Sequence, residues 1–199
     1  AAASDPGNKH GAIDLWGTVG LGLLPDKVAA ALPGVPLDGW DLLMRPENAR
    51  RLKACGISVM DSQTDVIPSM LRYLGRRVDS VDAKDLADVE KALMAIRPYV
   101  RNFANAGAVE ALAAGTTCLA VTYSGDVIQA RVRAEEAGRG VRVAYVAPKE
   151  GAQSGFDMLA VPADAPNKDA AHAFVDFVLR PDMMAAITKA TRYPNAVPA

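Results

Sequence analysis

Histidine and cysteine are scarce in this chain, two of each among 199 residues. Cys55 and Cys118 have a spacing that fits no zinc or redox motif. Two buried thiols and one disulfide are both compatible with it, and a disulfide would imply an oxidising compartment. His172 sits among alanines on a predicted helix, where it reads as a surface or space-filling residue. A basic excess is missing as well. With 22 Lys and Arg against 23 Asp and Glu, the formal net charge is −1, which leaves nothing to neutralise phosphates and excludes nucleic acid as a partner. No apolar run reaches the roughly 18 residues that a transmembrane helix requires, so no stable membrane insertion is expected. The opening "AAASDPGNKH" has no Met and no charged-then-apolar leader, so a signal peptide is not part of this sequence, which reads as a mature protein or a piece of a longer one.

Enzyme signatures are equally thin. "GAQSG" (151–155) is not a nucleophile elbow, because Ser154 falls one place late. "GLGLLPDK" (20–27) lacks both the third glycine of a dinucleotide loop and the Gly-Lys-Ser/Thr of a phosphate loop. No cluster of His, Cys and acids has metal-ligand spacing. Neither a metal nor an organic cofactor is expected.

What is present is a core-forming chain, 50% hydrophobic, whose elements alternate. Apolar or extended stretches are predicted at 15–24, 57–60, 117–123, 141–148 and 156–162. Helices are predicted at 45–55, 62–75, 82–96, 105–115, 125–138, 167–179 and 181–191. In the helix at 167–179 the apolar face, Ala171, Phe174, Val175 and Val178, should point inward. Such alternation indicates an α/β fold with a mostly parallel sheet flanked by helices.

Acids sit at the joints of this pattern. Asp65 lies in the first turn of the helix after strand 57–60, and Asp126 in the first turn of the helix after strand 117–123, beside Tyr123. Ligands of open α/β sheets bind outside the carboxyl ends of strands, where both acids fall. A local reading competes: Ser62 and Asp65 have the spacing of a capping box, and a first-turn acid gains about 0.3–1 kcal/mol from the helix dipole. Asp157 is placed to share a strand face with Leu159 and Val161, and an ionised acid on an apolar face needs a cationic partner, either a ligand or a buried arginine. Acids and aromatics without a nucleophile or a base suit binding better than catalysis.

Several stretches resemble the periplasmic putrescine- and spermidine-binding proteins of ABC transporters. They are "GWDLLMRPENARRLKACGISVMDSQTDVIPSMLRYLG" (39–75), "TTCLAVTYSGDVIQARVRAEEAG" (116–138), "VAYVAPKEGAQSGFDMLAVPADAPNKDAAHAFVDFVLRP" (143–181) and "RYPNA" (192–196). The resemblance implies a type II-like periplasmic-binding-protein fold of two α/β lobes around a cleft, here incomplete. Residues 1–14 would be a stub of the first lobe and crossover, 15–150 the second lobe, 151–191 part of the first lobe, and 192–199 a return crossover. An incomplete first lobe would leave Phe156, Met158, Phe174, Phe177 and Val178 exposed.

The implied function is that of the solute-binding component of an importer, not an enzyme. A polyamine would be bound between the lobes in the periplasm, and the protein would dock on ABC permease subunits. The alternatives are another cationic, amino-containing solute and, more remotely, an enzyme on a related α/β scaffold. Carried over by position, the ligand contacts would be Asp65, where the family has Glu; Tyr123, where it usually has Trp; and Asp126, Asp157 and Tyr193. Two departures bear on the ligand: Gly155 replaces an aromatic, and Ile13 and Asp14 replace a Pro and a Tyr just before Trp16. Trp16 and Asp14 are thus further candidate contacts. The cysteines match a pair in the putrescine-type members, which favours a Cys55–Cys118 disulfide.

Overall fold

The computed structural model describes residues 5–7 and 9–197; the outer ends of the predicted stub and return crossover lie outside the described residues. The described elements run β1 (Ala12–Leu23), α1 (Pro25–Ala31), α2 (Asp41–Met44), α3 (Pro46–Leu52), β2 (Ile57–Val59), α4 (Gln63–Tyr73) and α5 (Ala83–Ile96), with a 3-10 turn at Arg97–Tyr99. They continue as β3 (Asn102–Phe103), α6 (Ala108–Ala113), β4 (Leu119–Tyr123), α7 (Ser124–Ala137), β5 (Ala144–Val146), β6 (Gln153–Leu159), α8 (Lys168–Val178) and α9 (Pro181–Thr191). The chain divides into two compact units. One is Thr18–Gln153, and the other combines the residues through Gly17 with those from Ser154 onward.

In the larger unit the strand order is β3-β2-β4-β1-β5. The sheet is mixed. β2 runs parallel to β3 and to β4, the arrangement that strand–helix alternation predicts. β1 runs antiparallel to both β4 and β5, so the parallel expectation holds only for the β3-β2-β4 half. The central strands are covered on both faces, and they read as unbroken apolar runs for that reason: Ile57 and Val59 of β2 and Leu119, Ala120 and Val121 of β4 are all buried. Gly22 allows the helices to close on β1. A Cβ there would lie 2.7 Å from Val127 of α7 and 2.9 Å from Leu112 of α6. The C-terminus of α7 is set by Gly138 in the left-handed conformation, φ 63°, which costs glycine nothing.

The cysteines form a disulfide with a Cα–Cα distance of 5.5 Å, inside the usual 4.4–6.8 Å window. It ties the loop before β2 to the start of β4. A second tie holds α2 to α4: the Tyr73 hydroxyl donates to Asp41 Oδ1 at 2.9 Å, and Arg45 pairs with Asp41 Oδ2 at 3.0 Å. The Tyr73 hydroxyl is pushed up to about 12, first by burial and then by its bond to the Asp41 carboxylate.

In the smaller unit, β6 pairs with β1. An antiparallel bridge joins Leu15 to Asn195, and Trp16 N–H donates to the Pro194 carbonyl at 3.0 Å. Near its start, the Asp5 carboxylate accepts from the backbone N–H groups of Lys9, His10 and Gly11. β6 begins three residues earlier than its predicted span and ends at Leu159. The inward face predicted for α8 is not inward: no residue of this helix is buried, and Phe174 is 61% exposed. Phe156, Met158 and Phe177 are exposed too, whereas Val178 is half-buried. Among the described residues, nothing buries the apolar face of this helix.

Candidate functional site

β2 and β4 are parallel neighbours with Val59 opposite Val121, so both strands end at the same sheet edge. Each leads directly into a helix there. After β2 the chain passes Met60 and Asp61 to Ser62, the residue before α4. After β4 it passes without a break from Tyr123 into α7. Parallel pairing therefore brings the first turns of α4 and α7 together, and the first turns carry Asp65 and Asp126.

Asp65 and Tyr123 are in contact. The Tyr123 hydroxyl donates to Asp65 Oδ2 at 2.8 Å, and the Ser62 hydroxyl donates to the same oxygen at 2.5 Å. The capping-box reading of Ser62 and Asp65 is thereby corrected. Ser62 holds the position before the helix, but its side chain makes no capping bond; its hydroxyl goes to the Asp65 carboxylate instead. Asp65 makes no ion pair among the described residues, and its other oxygen, Oδ1, has no bond to another described residue. The first turn of α4 has a further support. Pro68 lacks the N–H that would bond the Thr64 carbonyl, and the Gln153 side-chain amide donates to that carbonyl at 3.2 Å.

Asp126 is half-buried. Thr122, buried on β4, donates its hydroxyl to Asp126 Oδ2 at 3.1 Å. In place of a cap, the residue before α7 is Tyr123, whose side chain makes no capping bond. Ser124 Oγ is engaged by the Thr18 N–H at 3.2 Å. Each acid thus accepts from a hydroxyl, Asp65 from Ser62 and Tyr123 and Asp126 from Thr122. Sequence reasoning missed Ser62 and Thr122; the available signal was a hydroxyl residue three or four places before each acid.

The remaining candidates belong to the smaller unit. Asp157 is exposed, and β6 stops before Val161. Contrary to expectation, no buried face forces a partner on Asp157, because water can solvate this carboxylate. The Leu15–Asn195 bridge sets Asp14 and Trp16 on one segment beside Tyr193 on the other. Trp16 is exposed and Tyr193 half-buried. Asp14 Oδ1 is a buried atom without a hydrogen-bond partner among the described residues. A Cβ added at Gly155 would meet nothing within 4 Å. Among the described residues no group of His, Cys, Asp and Glu is placed to hold a metal ion, and no helix is long and apolar enough to cross a membrane.

Comparison with known proteins adds to this geometry. The profile of a bacterial extracellular solute-binding protein matches residues 16–199. The chain is 48% identical over 193 residues to the putrescine-binding periplasmic protein SpuD of Pseudomonas aeruginosa, covering 96% of this chain and 53% of that protein. It is 43% identical over 197 residues to the putrescine-binding periplasmic protein PotF of Escherichia coli, covering 98% and 53%. It thus spans about half the length of these relatives. Among solved structures, a putative spermidine/putrescine ABC transporter protein from Listeria monocytogenes superposes with a TM-score of 0.80 at 25% identity, over 95% of this chain and 54% of the other.

Proposed function

The chain belongs to the bacterial extracellular solute-binding protein family, and on that premise we propose that it serves an ABC importer as the component that recognises polyamines, cations of the putrescine and spermidine kind. One observation carries this reading: Asp65 and Tyr123 are bonded together at the carboxyl ends of adjacent strands, with Asp126 in the first turn beside them. The names of the two relatives above 40% identity point the same way.

The chemistry follows from the groups. A carboxylate oxygen accepts a charge-assisted hydrogen bond from an ammonium. An aromatic face adds about 0.5–2 kcal/mol of cation–π attraction. Capture and release need no turnover, and the protein is not an enzyme. It works in the periplasm and delivers its ligand to the permease subunits of its transporter. The unit Thr18–Gln153 serves as the second lobe of the family plan and the other unit as part of the first. Asp157, Tyr193, Trp16 and Asp14 are ligand contacts on the strength of the resemblance alone. A second reading, a different amino-containing cation, is favoured by the open space at Gly155 and the unpartnered Asp14 oxygen.

Calorimetric titration of the protein at its full natural length with putrescine, spermidine, cadaverine, agmatine, lysine and arginine tests the assignment. Saturable one-to-one binding of putrescine or spermidine is expected. Binding of lysine or arginine without either polyamine would replace it with the second reading.

A further inference from the structure

A carboxylate has two oxygens and about four acceptor positions, two on each. In Asp65 they are used unevenly. Ser62 Oγ at 2.5 Å and the Tyr123 hydroxyl at 2.8 Å both donate to Oδ2, which fills that oxygen. The residue is half-buried, and Oδ1 accepts from no described residue. The two hydroxyls come from different places: Ser62 from the turn before α4, and Tyr123 from the end of β4, 58 residues away. Together they fix the plane of the carboxylate.

We infer that Asp65 meets its ligand through Oδ1 alone, so that this position selects an ammonium over a guanidinium, with Ser62 as a positioning residue. The inference rests on the cation-binding reading of the site. An ammonium is a compact charge that one oxygen satisfies. A guanidinium gains most from a planar fork, two parallel N–H bonds to the two oxygens of one carboxylate. At Asp65 the second tine meets an oxygen already holding two protons from its own protein. A guanidinium keeps one of its two bonds there, and an ammonium loses nothing. Agmatine, with one group of each kind, is expected to lie with its ammonium end at Asp65.

The test compares putrescine with 1,4-diguanidinobutane, which presents a guanidinium at either end and so cannot evade Asp65 by reversing. Both are titrated into the protein at full natural length and into Ser62→Ala, Tyr123→Phe and the double variant. Each variant is first shown to be folded by circular dichroism and a cooperative melt. In the double variant the ratio of the diguanidinobutane Kd to the putrescine Kd is expected to fall about tenfold, the worth of one recovered charge-assisted hydrogen bond. Each single variant should fall part of the way, and Ser62→Thr, which restores the hydroxyl, should keep the parent ratio. A ratio within twofold of the parent in the double variant overturns the inference, as does the absence of any diguanidinobutane binding throughout. Should the double variant not fold, the single variants are judged by the same criterion. If the parent binds neither putrescine nor spermidine, the proposed function itself fails, and this inference with it.

Discussion

Replacing Asp126 by Asn removes one charge and leaves the shape of the side chain almost unchanged. The Thr122 hydroxyl now donates to Asp126 Oδ2 at 3.1 Å, and an Asn carbonyl oxygen can accept the same bond. Asp126 lies in the first turn of α7, where its charge contributes about 0.3–1 kcal/mol through the helix dipole. The unliganded protein should therefore melt only a few degrees lower, since about 1 kcal/mol corresponds to roughly 2–4 °C at this size. Binding should respond far more. Removing one partner of a desolvated charge pair costs about 2–5 kcal/mol, roughly 30-fold to several thousand-fold in Kd. The assay is paired: calorimetric titration with putrescine and spermidine, and a melt without ligand. The expected result is a large loss of affinity with a small loss of stability. A Kd within threefold of the parent would show that Asp126 is a helix-start acid and not a ligand contact. A fall in melting temperature of ten degrees or more would show that its charge is structural.

The remaining predictions concern the frame that holds the site. The Cys55–Cys118 bridge closes a loop with a sequence separation of 63, for which chain entropy gives about 4 kcal/mol; the double Cys→Ala variant should lower the guanidinium midpoint accordingly, and a loss under about 1 kcal/mol would mean that the reduced chain is already constrained. The Tyr73 hydroxyl ionises at about 12 in the fold against 10.0 for the free side chain, so the unfolded chain gives up its proton first and stability must fall as pH rises from 10 towards 12. Tyr73→Phe should flatten that part of the stability–pH profile measured by urea unfolding, and an unchanged slope would assign it to another group.

Much of the larger unit is legible because its elements are short and strongly patterned. α4, α5 and α7 and strands β2 and β4 carry the periodicity of one environment each, and their predicted bounds fall within a few residues of the observed ones. What local pattern does not encode is pairing. The direction of β1 against β4 and β5 depends on contacts about a hundred residues apart, and nothing within 15–24 specifies it. Elements too short for a period also escape: α1 and α2, seven and four residues long, and β3, of two. The helix predicted from 105 starts only at Ala108, because Gly107 takes a left-handed φ of 89°. For α8, periodicity identified the apolar face correctly but could not say what would cover it.

The same distinction applies at the site, where the two readings of Asp65 make different demands on one hydroxyl. Asp65 and Asp126 were visible as acids at strand-to-helix joints, a placement that capping and binding share. Under capping, the Ser62 oxygen would accept a bond from the N–H of the second or third residue of α4, a contact generally worth about 1 kcal/mol against alanine. Ser62 has the right identity and the right position for that role. It nevertheless turns its hydroxyl to Asp65 Oδ2 and leaves the helix without a side-chain cap. At α7 the position before the helix is given to Tyr123, which has no capping chemistry, and its hydroxyl reaches the same Asp65 oxygen. At both helix starts on this sheet edge the residue before the helix makes no side-chain cap, and the hydroxyls of these two residues converge on a single carboxylate. Departures from locally favourable choices are expected where function sets the requirement. The convergence of Ser62 and Tyr123 on Asp65 is therefore what favours a ligand site over two independent helix caps.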